Sequence, residues 1–431
     1  MKDEAPISVT ETLRATPLTI RYLLLGVLIN QLGAFVQTFL VLYLTHKGMS
    51  FYVAGLCLGA YSVGTIFGTM LGGEFTERFG ARATIVLAMA GSAPLVVSIS
   101  WLSRPGLTAP LMVVVALAGL LAQAYRPAAA VMLSDLMPER YQVMAFSMMR
   151  IALNTGAALA PLIAAALILV DWNLLYWIDG ATTLVYSVLA FALLPRRSAR
   201  GAAAEAEEAE AGSAPAVTGR AAYAAMARDR RYLLYLAAVL LGTIVYVQSS
   251  IALPLQIVAD KYPTGLYSAV LAISSVVLIT CELKITTYIV RLRTSTAVVF
   301  GHLMNSLGFA VYALGRHSAA FMLVGAVLAV SGLMIAGPSM FAHPATFPSA
   351  LRARYIGTMQ AVAGLASAVG PLFGVFVWSR VGSSFWLLCA AVNGIAGLLA
   401  MAGLRGAAEP VSAVEADEST EDSQEAVGGM A

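Results

Sequence analysis

Long apolar runs separated by short polar connections repeat along the whole chain. The runs centre near residues 20–44, 52–72, 82–103, 107–132, 145–169 and 173–194, then 232–257, 264–289, 295–315, 319–341, 356–379 and 384–404. A hydrocarbon core about 30 Å thick is crossed by a helix of roughly 20 apolar residues, so the pattern predicts twelve transmembrane helices. Residues 1–17 are polar, and no small-residue cleavage site follows the first run, so no signal peptide is expected. Composition supports this reading. Hydrophobic residues make up 59% of the 431 and charged residues 11%, whereas a soluble protein carries about 25% charged residues. A soluble fold of this size could not cover its surface with so few charges. The expected class is therefore an all-α membrane protein, and the long polar stretch at 196–230, with the repeat described below, divides it into two pseudo-symmetric six-helix bundles.

Basic residues orient these helices. Eighteen of the 26 Lys and Arg residues fall on one side, among them Arg14, Arg78, Arg82, Arg140, Arg231, Arg291, Arg352 and Arg354. The positive-inside rule places that side, with both termini, in the cytoplasm. All five tryptophans then fall at or near outer helix ends, where interfacial anchors sit. The expected division is a cytoplasmic segment 1–17, a bundle 18–195, a linker loop 196–230, a second bundle 231–405 and an acidic tail 406–431. The loop and tail read as disordered and cytoplasmic. Arg outnumbers Lys 22 to 4 and alanine is abundant, a usage associated with GC-rich bacterial coding, so the expected location is a bacterial plasma membrane. The net charge of +3 gives no reason to expect a nucleic-acid partner. Cys57, Cys281 and Cys389 are far apart and form neither a metal spacing nor a disulfide framework.

The two halves share a register. Arg21-Tyr22-Leu23-Leu24 recurs as Arg231-Tyr232-Leu233-Leu234, and Met149, Ala158 and Pro161 match Met359, Ala368 and Pro371, all 210 residues apart. Parallel repeats place a substrate site near mid-membrane between the halves. That layout suits an alternating-access transporter better than a membrane enzyme.

The connection after the second run reads Gly72-Gly73-Glu74-Phe75-Thr76-Glu77-Arg78-Phe79-Gly80-Ala81-Arg82. It resembles the loop 2–3 signature of the major facilitator superfamily. The resemblance implies a gate built from Gly73, Glu77, Arg78, Gly80, Arg82 and Asp135. In it Glu77 faces a helix N-terminus of the other half near Tyr355, and Asp135 partners Arg78. Here Ala83 follows Arg82, and the second-half counterpart near Thr286 to Arg293 lacks the acid. Asn154-Thr155-Gly156 with Ala160-Pro161 resembles the glycine-rich motif of the drug–proton antiporter group, and Gly370-Pro371 is the fuller copy. Gly156, Pro161, Gly370 and Pro371 are therefore helix-packing candidates. Val115 stands where such exporters commonly carry an arginine.

Polar groups within the runs complete the candidate set. Arg150 and Asn154 share a helix face, so Arg150 suits either an anionic substrate group or a structural ion pair. Arg126 suits substrate contact or pairing with the gate. Asn30, Gln37 and Gln248 are neutral cavity-lining candidates or helix–helix hydrogen-bonding groups. Asp179 and Glu282 are the candidates for a coupling proton. For Asp179 the better-suited role is a hydrogen-bonded structural one, and for Glu282, with Lys284, snorkelling toward the interface. No phosphate-cradling loop, zinc set or nucleophile elbow is present, so no enzyme activity, catalytic residue, metal or cofactor is expected. The expected function is a monomeric secondary transporter in the lipid bilayer. It would export a lipophilic or amphipathic small molecule against inward proton flow. A proton-coupled nutrient importer is the alternative, and a membrane sensor or enzyme a weaker one.

Overall fold

The computed structural model describes residues 8–104, 106–195, 219–263 and 265–404. These form fifteen α-helices joined by short connections and 3-10 turns, with no strand among the described residues. The first half holds α1 (Val9–Ala15), α2 (Leu18–Leu32), α3 (Val36–His46), α4 (Phe51–Phe79), α5 (Ala81–Leu102), α6 (Thr108–Leu136), α7 (Gln142–Ile168) and α8 (Leu174–Leu193). The second holds α9 (Gly219–Arg228), α10 (Arg230–Ala259), α11 (Gly265–Ile289), α12 (Thr294–Tyr312), α13 (Ala319–Ala342), α14 (Ser349–Val381) and α15 (Phe385–Leu404).

Eleven segments are long and apolar enough to cross a membrane, and the last of them, Leu351–Leu404, is 54 residues long. A turn at Gly382, whose φ of +54° suits glycine, divides that segment into α14 and α15. Among the described residues there are therefore twelve segments suited to cross a membrane. We call the side bearing the α4–α5, α6–α7 and α13–α14 connections the basic face, after its arginines.

Packing within the two halves follows one plan. In the first, α4 packs on α6, α5 on α6 and α8, and α2 on α7 and α8. In the second, α11 packs on α13, α12 on α13 and α15, and α10 on α14 and α15. Small residues permit the close crossings. A Cβ on Gly64, Gly68 or Gly72 would stand 2.0–2.2 Å from the carbonyl oxygens of Ala116, Leu120 and Ala124 on α6. A Cβ on Gly301 or Gly308 of α12 would stand 2.5–2.8 Å from backbone atoms of α13. The halves meet through α4 with α14, α7 with α11 and α13, and α6 with α14.

Several sequence expectations change. The signature after the second run lies on α4 itself, where Gly72 and Gly73 serve close packing, and only Gly80, at φ +83°, makes the turn. The linker expected to be disordered throughout 196–230 contains α9, because Tyr223 and Met226 pack into the cluster of Tyr232, Tyr235 and Tyr355. Residues 196–218 and 405–431, including the acidic tail, lie outside the described residues. Trp386 is not an interfacial anchor but fully buried, donating its indole N–H to Gln256 at 2.5 Å.

The first crossing, expected as one helix, is broken between Leu32 and Val36. Its second piece starts inside the bundle, so its leading amides have no partner within the helix. The Asp179 carboxylate of α8 supplies one, accepting from the N–H groups of Phe35 at 3.0 Å and Val36 at 3.3 Å. Thr183 ties the same corner together, 3.2 Å from Asn30 Oδ1 and 3.5 Å from Asp179 Oδ1. Asp179 is thus a cap for a buried half-helix. Asp179→Leu should destabilise the protein by about 1–3 kcal/mol per orphaned amide, and Asp179→Asn, which keeps an acceptor, by less. Thermal unfolding in nanodiscs measures both, and equal losses would exclude the capping role.

Candidate functional site

Among the described residues, every hydrogen bond and ion pair between the halves lies toward the basic face. The outermost layer joins α4 and α6 to the start of α14. Arg354 Nε stands 2.8 Å from Glu74 Oε2, and Arg352 reaches Asp135 at 2.5 Å. Glu77 accepts the backbone N–H of Ala353 at 3.2 Å, placing its carboxylate against the first turns of α14. Beside them α4 and α14 touch backbone to backbone. A Cβ on Gly73 would come 2.7 Å from the Ala353 carbonyl oxygen, and one on Gly357 3.1 Å from Gly73 Cα.

Two expected contacts are not made. Arg78 bonds Glu74 one turn back on its own helix at 2.7 Å, instead of Asp135. Its side chain is 64% exposed, so that pair contributes only a few tenths of a kcal/mol. Arg82 does not join the inter-half network. It donates to the carbonyls of Ala190 and Phe191 and lies over the Phe191 ring, closing the end of α8 in its own half. An arginine there adds a donor to the last carbonyls of that helix, Ala190 already accepting the Leu194 N–H.

One layer deeper, α7 meets α11 and α13. Arg150 Nε is 2.9 Å from Glu282 Oε1, with both side chains shut away from solvent. Ser147 and Thr286 share a hydrogen bond at 2.8 Å beside them, and Arg150 also donates to the Leu333 carbonyl at 3.2 Å. The guanidinium fills the space over Gly337, where any Cβ would collide with it. Glu282 therefore does not snorkel. It points into the bundle while Lys284, two residues on and nearly opposite around the helix, is exposed. Removing one partner of such a pair leaves an isolated charge, which in buried sites costs about 3–5 kcal/mol.

The remaining candidates divide between packing and open positions. Gln248 is not a cavity group. It is fully buried, donating to the Ile244 and Gly370 carbonyls, and Gly374 gives it room against α14, while Gly370 packs against Val247. Gly156 likewise admits Gln31 of α2, whereas Pro161 is exposed and Pro371 half-buried. Asn30 is held by Thr183, and Asn154 bonds the Arg150 carbonyl. Gln37 is exposed, and Arg126 makes no hydrogen bond or ion pair to a described residue. Sequence reading passed over Glu74, Arg352 and Arg354. The signal available was Glu74 four residues before Arg78, facing two arginines that precede a crossing. A recess of about 420 Å³ lined by Lys47, Trp101, Arg104 and Trp177 opens at the opposite end of the helices, away from these charges.

Two packed helical halves, joined by charges at one face and by a buried ion pair beneath them, define a multi-pass membrane transporter. Residues 23–346 match the sequence pattern of the Major Facilitator Superfamily, and the chain belongs to that family. A Na(+), Li(+), K(+)/H(+) antiporter of Planococcus maritimus is 24% identical over 378 residues, covering 81% of this chain and 87% of its own. A 3-(3-hydroxy-phenyl)propionate transporter of Escherichia coli is 26% identical over 327 residues, covering 74% and 76%. Among solved structures, the E. coli transporter FucP in its outward conformation superposes with a TM-score of 0.71 at 13% identity, covering 91% of this chain and 99% of that one.

The Gly73–Gly357 crossing can be tested directly. Gly73→Val should hold α4 off α14 and loosen the basic face. A cysteine at Ser147, buried between the halves, should then react several-fold faster with a membrane-impermeant maleimide than in the Ser147→Cys protein alone. An unchanged rate would show that this crossing does not control closure.

Proposed function

We propose that this chain is a monomeric secondary transporter of the bacterial plasma membrane that exports a small lipophilic or amphipathic molecule in exchange for protons. The basic face is cytoplasmic, as its arginines require under the positive-inside rule. The conformation described is then closed to the cytoplasm, and transport proceeds by rocking of the halves about the contacts of α4 with α14 and α7 with α11.

The observation that carries this reading is the Arg150–Glu282 pair, because it joins α7 of one half to α11 of the other. Opening the basic face pulls the two charges apart in a medium that solvates neither. A proton taken up by Glu282 removes one of those charges and lets the halves part. Proton movement is thereby tied to the conformational change, and a ligand shifts the same equilibrium only by preferring one state. Glu282 is the proton carrier in this scheme, and Asp179 holds the broken first crossing. The outer layer of Glu74, Glu77, Asp135, Arg352 and Arg354 latches the cytoplasmic mouth. The antiporter relative, named for proton exchange, supports ion coupling.

Everted vesicles loaded with acid and a pH-sensitive dye test direction and coupling together. Export coupling predicts that adding a transported amphipathic solute releases protons from the vesicles while the solute accumulates inside. Import coupling predicts solute leaving the vesicles along with protons. Glu282→Gln should retain solute exchange across the membrane while losing pH-driven accumulation. If that variant still concentrates solute in response to a pH gradient, Glu282 is not the carrier.

A further inference from the structure

Four charged side chains lie well inside the crossing helices: Arg126, Arg150, Asp179 and Glu282. Three are compensated. Arg150 and Glu282 neutralise each other at 2.9 Å, and Asp179 rests on two backbone amides. Arg126 has neither an ion pair nor a hydrogen bond to a described residue, and its Nε is cut off from solvent with its hydrogen unsatisfied.

Its position is remote from both ends of its helix. Arg126 is ten residues from the basic-face end of α6 and eighteen from the other end. At 1.5 Å per residue this is about 15 Å and 27 Å along the axis. The same side of α6 carries Val115, Gly119, Ala130 and Leu133, all buried in protein. Gly119 there meets the backbone of Tyr61 on α4, and Arg126 lies within electrostatic reach of the Tyr61 hydroxyl. The guanidinium therefore faces the bundle interior and is only partly covered. Asp179 acts on the same Tyr61 hydroxyl, but its carboxylate is held by the Phe35 and Val36 amides. The Arg126 guanidinium, protonated throughout the physiological range, is thus a positive charge to which no described residue bonds.

We propose that the missing counter-charge is the transported molecule: Arg126 binds the carboxylate of a small amphipathic organic anion. The inference rests on the transport reading above and adds the chemical class of its substrate. A guanidinium offers two parallel N–H donors matched to the two oxygens of a carboxylate. The apolar body of such a solute suits the surrounding helices. Lys in place of Arg keeps the charge and loses the fork.

The test uses the full chain in nanodiscs and the arginine reagent phenylglyoxal, with modification at each arginine read by peptide mass spectrometry. Arg126 should react, and Arg150, held by Glu282, should not. Octanoate and 4-phenylbutanoate should slow modification of Arg126 several-fold, while octanamide, 4-phenylbutanamide, 4-phenylbutylammonium and sulfate should not. Both carboxylates should raise the unfolding temperature of the wild type, raise it less in Arg126→Lys, and leave Arg126→Gln unchanged. An unreactive Arg126 overturns the proposal. So does equal protection by the amides or the ammonium, protection by sulfate as an inorganic anion site only, or carboxylate stabilisation that survives in Arg126→Gln. Labelling of the wild-type chain decides the matter even if a variant fails to fold. Proton-driven accumulation in everted vesicles without carboxylate protection would retain the transport reading and discard the anion. Protection without transport would do the reverse.

Discussion

Charge inside a bilayer finds no water, so each ionised group in a crossing helix needs a partner within the protein or a ligand that arrives from outside. The arrangement of this chain follows from how its few buried charges meet that demand. Asp179 meets it with the amides of a half-helix, within one half. Arg150 and Glu282 meet it across the divide between the halves. Solutions of the first kind are permanent and make one half rigid. A solution of the second kind holds only while the halves are together, which turns the interface into a two-state element.

The same distinction separates the two layers at the basic face. Contacts of Glu74, Glu77 and Asp135 with the start of α14 lie nearer to water, with the paired side chains from 9% exposed at Arg354 to 23% at Arg352, so salt and solvent weaken them in part. They fix the register of α4 on α14 and the direction of closure. On the proposed mechanism the larger cost of opening lies one layer deeper, where neither Arg150 nor Glu282 has solvent to replace its partner. Internal packing, repeated from one half to the other and made close by glycines, deforms little. Motion is therefore concentrated in the few contacts that join the halves.

The crossings were legible in the sequence because an unbroken apolar run of about 20 residues matches the thickness of a bilayer and exceeds what a soluble core helix buries all round. The repeat was legible as a constant offset, and Glu77 through the spacing of its motif. What escaped depended on partners distant in the chain. Nothing in Gly33-Ala34-Phe35 marks a helix break, because the acid that holds the break open is 144 residues away. Arg352 and Arg354 counted toward orientation, and their pairing with Asp135 and Glu74 depends on how one half seats on the other. Glu282 looked like the neighbour of Lys284 near a helix end. The helix ends at Ile289, where the apolar run does, so Glu282 lies two turns inside and on the opposite side of the helix from Lys284, a difference of direction that the run alone does not show.

The broken first crossing also has a consequence for how the chain is made. Segments enter the membrane from the N-terminus onward, so the amides of Phe35 and Val36 reach the lipid long before residue 179 leaves the ribosome. With the break already formed and the sixth crossing absent, they would be unsatisfied in hydrocarbon, at several kcal/mol for each group. The nascent first crossing must remain one continuous helix, or stay beside the insertion machinery, until α8 is in place. Maturation of the N-terminal half then ends in a single late event, the docking of one carboxylate, and truncations that stop short of α8 should be degraded as misassembled chains.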